Sequence, residues 1–205
     1  MNETQRAHAD LAFMKALVEE GGRSQMTGGA LFLTAGLLYG LQCLVHWTQV
    51  VGITRFSDSF MLAFVVGISL TFVVVLGVVI WRDRKTAQRA VGTRALNAAF
   101  GGAGVANLVL CAAFGLVASR ERSMTIWLLY PVTIAVVQGF AWYVAFMMRK
   151  RPWLALVSGG WFATALGLGL AIGNDAGYLL LLAVALVLLM AIPGAAMMRL
   201  AKTSG

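Results

Sequence analysis

Six apolar runs follow one another along this chain, and no Asp, Glu, Lys or Arg lies inside any of them. They cover residues 28–51, 60–81, 96–118, 124–148, 153–173 and 177–198. At about 1.5 Å per residue, a helix of such length crosses roughly 30 Å of hydrocarbon. Backbone N–H and C=O groups must bond internally in lipid, so each run is expected to be helical. The expected fold class is all-α: an integral membrane bundle of six transmembrane helices, arranged as three hairpins, preceded by a short cytoplasmic amphipathic helix. The chain is 60% hydrophobic and 12% charged, against about 45–50% and 25% in soluble domains. It divides into an N-terminal helix (1–27), the transmembrane domain (28–198) and a short tail (199–205), with no room for a separate soluble domain.

Stretch 81–94, WRDRKTAQRAVGTR, sets the orientation. It carries Arg82, Arg84, Lys85, Arg89 and Arg94 against one acid, Asp83. Joints this basic stay on the cytoplasmic side of a bilayer. With the N-terminus on that side, Arg6, Lys15, Arg23, the five cations of the joint, Arg149, Lys150, Arg151, Arg199 and Lys202 share one face, thirteen in all. Only Arg55, Arg120 and Arg122 fall on the other. The bias predicts a multi-pass protein of the cell's inner membrane with both termini cytoplasmic. The net charge of +8 is accordingly read as a match for anionic lipid headgroups, and nucleic acid is not an expected partner. The mixed, interrupted N-terminus does not read as a signal peptide.

In residues 1–27, Asn2 and Gln5 have the spacing of a capping box. Ala7, Leu11, Met14 and Val18 then recur at steps of four, three and four, the period of an amphipathic helix. Gly21 and Gly22 are expected to stop it. Its apolar face fits either the lipid headgroup layer or a groove on a cytosolic protein, with Leu11, Met14 and Val18 as the docking residues.

A repeat is visible. Gly28-Gly29, Gly101-Gly102 and Gly159-Gly160 lie near the starts of the first, third and fifth runs. WRDRK, MMRKR and MMRLAK close the second, fourth and sixth. Three hairpins of one orientation, a parallel repeat, would produce this. The general enrichment of glycine in membrane helices produces it equally.

The absence of charge inside the runs bears on function. Ion-coupled transport through a buried carboxylate needs an intramembrane acid. A metal site or a bis-histidine haem needs more imidazole than His8 and His46 supply. Cys43 and Cys111 sit singly in apolar runs and read as small filler. No cofactor and no enzymatic activity are expected, although Asp10, Glu19 and Asp83 are carboxylates at the inner surface.

The polar residues that do lie inside the runs are few. Tyr39, Gln42, His46 and Gln49 share one face of the first helix. They form either the wall of a small polar cavity, with His46 as a proton-sensitive element, or a packing face bonded across helices. Asn107 and Gln138 lie nearer mid-membrane, where each amide must find a partner. They either bond each other or line a solute path with the first four. Gly36 and Gly40 make a GxxxG, and Gly160, Thr164, Gly167 and Ala171 a small-residue stripe; both permit close helix packing. Pro131 and Pro193 are expected to kink their helices.

The leading expectation is a non-enzymatic inner-membrane protein that binds or regulates a cytosolic partner through its N-terminal helix and basic joint. The alternative is a small-solute transporter or channel with a polar path near the first, third and fourth runs. A second copy of the chain is admitted as a partner in either case.

Overall fold

The computed structural model describes residues 3–83 and 91–203; on residues 3–24 it describes the side chains of His8, Leu11 and Ala12 alone. Among the described residues every regular element is a helix. They are α1 (Glu3–Val50), α2 (Asp58–Asp83), α3 (Val91–Glu121), α4 (Met124–Arg149), α5 (Pro152–Ala171), α6 (Asp175–Leu186) and α7 (Ile192–Thr203). A π-helical turn, Val187–Ala191, joins α6 to α7. Six stretches are long and apolar enough to cross a membrane, and the last, Asp175–Lys202, contains α6, the π turn and α7.

Local chemistry sets several of the ends. The Ser123 hydroxyl accepts from the Ile126 N–H at 3.5 Å at the start of α4. The Asn174 side chain accepts from the Gly177 N–H at 3.0 Å at the start of α6. Both satisfy donors that the first helical turn leaves over. Pro152 opens α5, where a missing N–H costs nothing.

The expected stop at Gly21-Gly22 does not form. α1 runs through both glycines to Val50 without a break. Each glycine in a helix interior costs only about 1 kcal/mol relative to alanine. No proline follows to forbid continuation, so the helical residues on either side carry the chain across.

The packing order is α2, α1, the last apolar stretch, α5, α4, α3. The first and last long helices are therefore neighbours, and their backbones touch. A Cβ placed on Gly36 would lie 2.5 Å from Ala191 N and 2.8 Å from Leu186 O. One on Gly29 would lie 2.7 Å from Gly194 O, and one on Gly194 would lie 2.5 Å from Leu33 N. The GxxxG thus packs as expected, and its partner is the last stretch of the chain. On α5, Gly160 meets the Leu189 side chain and Gly167 that of Leu181, so the small-residue stripe also packs on that stretch.

The core is aromatic. Phe32 of α1 lies 5.1 Å from Phe100 of α3 and 5.2 Å from Trp142 of α4, centroid to centroid. Trp142 also meets Trp153 of α5 at 6.0 Å. Leu154, Val157, Trp161, Ala165 and Met197 continue the cluster. Between α4 and α5 the buried Ser158 hydroxyl donates to Gly139 O at 2.8 Å.

The three glycine pairs have unlike surroundings. Gly28 and Gly29 face Met197, Gly194 and Met198, whereas Gly101, Gly102 and Gly159 have nothing within 4 Å of an added Cβ. Similar sequence positions therefore do different jobs, and the glycine pairs give the repeat no common packing role.

Candidate functional site

The polar residues singled out in the sequence go to three places. Gln49 and His46 serve the end of α1. The Gln49 amide donates to Phe56 O at 3.2 Å, and the Thr48 and Thr54 hydroxyls pair at 2.9 Å. Together these bonds fold the turn after Val50 back onto its helix. His46 Nδ1 lies 2.8 Å from Gln42 O, one turn back. A carbonyl only accepts, so Nδ1 carries a proton in this bond. His46→Gln should therefore leave the helical content unchanged and shift the unfolding midpoint by less than about 1 kcal/mol, the net worth of one such bond; circular dichroism and a detergent unfolding curve measure both.

Tyr39 and Asn107 go to the second place, the space between α1, α2, α3 and α4. The Tyr130 hydroxyl of α4 donates to Asn107 Oδ1 at 2.7 Å. Cys111, one turn along α3 from Asn107, lies within electrostatic reach of Tyr130, as does Tyr39. Tyr39 in turn has Ser69 of α2 at its hydroxyl and Phe72 of α2 against its ring at 5.6 Å. Gln42, three residues along the same side of α1, has its Oε1 buried with no hydrogen-bond partner. Tyr39, Gln42, Ser69, Asn107, Cys111 and Tyr130 are all half-buried. Tyr39, Ser69, Asn107, Cys111 and Tyr130 form a cluster of neutral polar groups drawn from four helices.

Gln138 goes to the third place. Asn107 and Gln138 do not bond each other: Tyr130 takes the Asn107 oxygen, and Gln138 Oε1 is buried without a partner. Gln138 stands eight residues beyond Tyr130 on the same helix, about 12 Å along its axis at 1.5 Å per residue, so Tyr130 and not Gln138 is level with Asn107. Trp142, one turn along from Gln138 on α4, likewise has Nε1 buried without a partner.

Sequence reasoning missed Ser69, Cys111 and Tyr130. Tyr130 carried the one available signal, a phenol with a buried hydroxyl in an apolar run, where a partner is normally required. Among the described residues no three His, Cys, Asp or Glu side chains are grouped so as to hold a metal ion.

The remaining candidates are peripheral. Leu11 is 59% exposed and His8 is exposed; the side chains of Met14 and Val18 lie outside the described residues. Arg82, Arg94, Lys150 and Arg151 are exposed, while Arg149 is half-buried. Lys150 sits 6.0 Å above the Phe146 ring. Arg84, Lys85 and Arg89 lie outside the described residues. Comparison with protein families, with curated proteins and with solved structures gives no match.

Proposed function

We propose that the chain is a non-enzymatic, multi-pass inner-membrane protein that presents a helical arm to a cytosolic partner. The observation that carries this reading is the continuity of α1 from Glu3 to Val50. Its apolar part begins at Gln25. The residues before it therefore continue the same helix for about 33 Å at 1.5 Å per residue. An arm joined to a spanning helix without a hinge holds a fixed direction, so less order is lost when a partner docks. The exposed Leu11 lies on that arm, at the first of the three positions read as docking residues. The distribution of cations supports a cytoplasmic position for the arm, the joint at 81–94 and the C-terminus. There the basic joint also meets anionic headgroups.

Two measurements test this. Single cysteines at Ser24 and Thr203 in a chain lacking Cys43 and Cys111 should label only after the membrane is opened, and one at Ser57 should label in intact cells. Opposite results at Ser24 and Thr203 would overturn the topology. A photo-crosslinker at Leu11 should capture protein in native membranes, and Leu11→Asp should reduce capture of that same species at least fivefold. Recovery of lipid alone would remove the docking role and leave the topology standing.

A further inference from the structure

We propose that the turn between α4 and α5 binds a phosphate group, held between the guanidinium groups of Arg149 and Arg151. This goes beyond the docking reading, which concerns α1 and the joint at 81–94, and shares with it only the placement of the helices in a bilayer.

The turn is short and held at both ends. Lys150 and Arg151 alone join Arg149, the last residue of α4, to Pro152, the first of α5. The Lys150 N–H donates to Phe146 O at 2.7 Å and closes α4. Arg151 is extended, at φ −91° and ψ 122°, the region to which a following proline biases a residue. Behind the turn, Trp142 meets Trp153 at 6.0 Å, and the Ser158 hydroxyl donates to Gly139 O at 2.8 Å. Two helices tied together in this way give the turn a rigid base, so little order is lost when a ligand docks on it.

The charges on this turn are unbalanced. Arg149 is half-buried, and among the described residues the charge that acts on it is that of Arg151, of the same sign. A cation taken partly out of water beside a second cation is disfavoured on both counts. The hairpin supplies no counterion. From Ser123 to Asn174 the sequence has no Asp or Glu. The acids that bound this interval, Glu121 and Asp175, stand at its far end, before the start of α4 and after the end of α5. Lys150 is turned back onto α4, with Nζ 3.8 Å from Met147 Sδ and 6.0 Å above the Phe146 ring. That leaves the two guanidinium groups as a pair. Each is a planar fork that matches the oxygens of a phosphate. One anion between them would offset both the desolvation of Arg149 and its repulsion by Arg151. The first turn of α5 carries no acid, and the positive end of its dipole attracts the same anion.

A phosphate can reach this turn from two sources. The turn closes one apolar stretch, Met124–Arg149, and opens the next, Pro152–Ala171. In a bilayer it therefore lies level with the phospholipid headgroups, and free phosphate reaches the same level from water.

The full chain in mild detergent is the object to test, with lipid retention read by native mass spectrometry. Dioleoyl phosphatidylglycerol should be retained about tenfold over dioleoylglycerol, which has the chains without the phosphate. Arg149→Gln and Arg151→Gln should each lower that retention about tenfold, as expected for one lost bond to a charged group. The double variant should lose little more than either single one, because both arginines hold one group. Lys150→Gln on the same turn and Arg82→Gln on α2 each remove one charge as well, and both should leave retention within about twofold. Inorganic phosphate, added to the same protein without lipid, separates the sources. A rise in the unfolding midpoint that Arg149→Gln abolishes assigns the site to free phosphate; no rise, with the lipid retained, assigns it to the headgroup. Arg149→Gln and Arg151→Gln each relieve a like-charge repulsion, so without ligand neither should unfold earlier than wild type. If Arg149→Gln does, the exposed Arg151→Gln decides. Equal retention by wild type and both arginine variants overturns the proposal. So does an equal loss in Lys150→Gln or Arg82→Gln, which would mean that bulk charge alone draws the lipid. Failure of phosphatidylglycerol to be retained, together with no effect of inorganic phosphate, overturns it too. Photo-crosslinking from Leu11 reads a different part of the chain, and its failure leaves these outcomes standing.

Discussion

Gly36→Ala is expected to lower the unfolding free energy by about 1–3 kcal/mol, the usual cost of forcing atoms into a filled interface. The new methyl group would lie 2.5 Å from Ala191 N and 2.8 Å from Leu186 O. Both are backbone atoms of the last apolar stretch and cannot swing aside as a flexible side chain would. The two helices must separate, and contacts at Gly29 and Gly194 one and two turns away are strained with them. Gly36→Leu should go further and abolish the pairing. Gly101→Ala is the matched control. It adds the same methyl group to α3, where nothing lies within 4 Å, and alanine is the better helix former by about 1 kcal/mol. That variant should be neutral or slightly stabilised. Unfolding by a graded mixture of denaturing and mild detergent, followed by tryptophan fluorescence, reads both. Equal midpoints for Gly36→Ala and Gly101→Ala would mean that α1 and the last stretch are not packed backbone to backbone.

The six apolar helices were legible in the sequence because hydrophobicity and length are properties of a single stretch. Observed limits such as Asp58–Arg82 and Arg94–Glu121 lie within a few residues of the runs read at 60–81 and 96–118. The GxxxG of α1 was legible as a packing face for the same reason. Its partner was not, since Gly36 and Ala191 stand at opposite ends of the chain and nothing local joins them. The glycine pairs misled in a related way. Gly21-Gly22 looks like a stop, and Gly101-Gly102 looks like the counterpart of Gly28-Gly29 although only the latter pair packs. A glycine only removes a barrier, and its neighbours decide whether the chain bends, packs or continues. At the candidate site, Tyr39 and Asn107 were singled out for being polar in an apolar setting, which is again a local property. Tyr130 was passed over, although it is the group that bonds Asn107. The link is a hydrogen bond between side chains 23 residues apart, and its existence depends on how α3 and α4 cross.

Trp161→Phe is expected to cost about 1–3 kcal/mol more than Trp142→Phe, the penalty for leaving a buried acceptor without a donor. The two indoles are matched in burial, at 3% and 1% exposed, and both belong to the central aromatic cluster. They differ in what Nε1 does. Trp142 Nε1 has no partner, so removing it gives up packing and relieves an unmet donor. Trp161 Nε1 donates to Leu189 O at 3.2 Å. That carbonyl lies four residues before Pro193, the position whose N–H would bond it in an ordinary α-helix and which as proline has none. The helix accommodates Pro193 with the π turn Val187–Ala191, in which the Ile192 N–H reaches back five residues to Val187 O. Trp161 thus supplies from α5 the donor that Pro193 withholds. Restoring the backbone donor should then make the indole dispensable. In a Pro193→Ala background, Trp161→Phe should cost about 1 kcal/mol less than in the native chain, a coupling of the size seen between groups sharing one partner. The four unfolding midpoints of that double-mutant cycle measure it. If the two costs are equal, the indole contributes packing alone and the Leu189 carbonyl finds its partner elsewhere. A positive coupling makes the π turn, Pro193 and Trp161 one unit, in which a kink set by one helix is held by a side chain of the next.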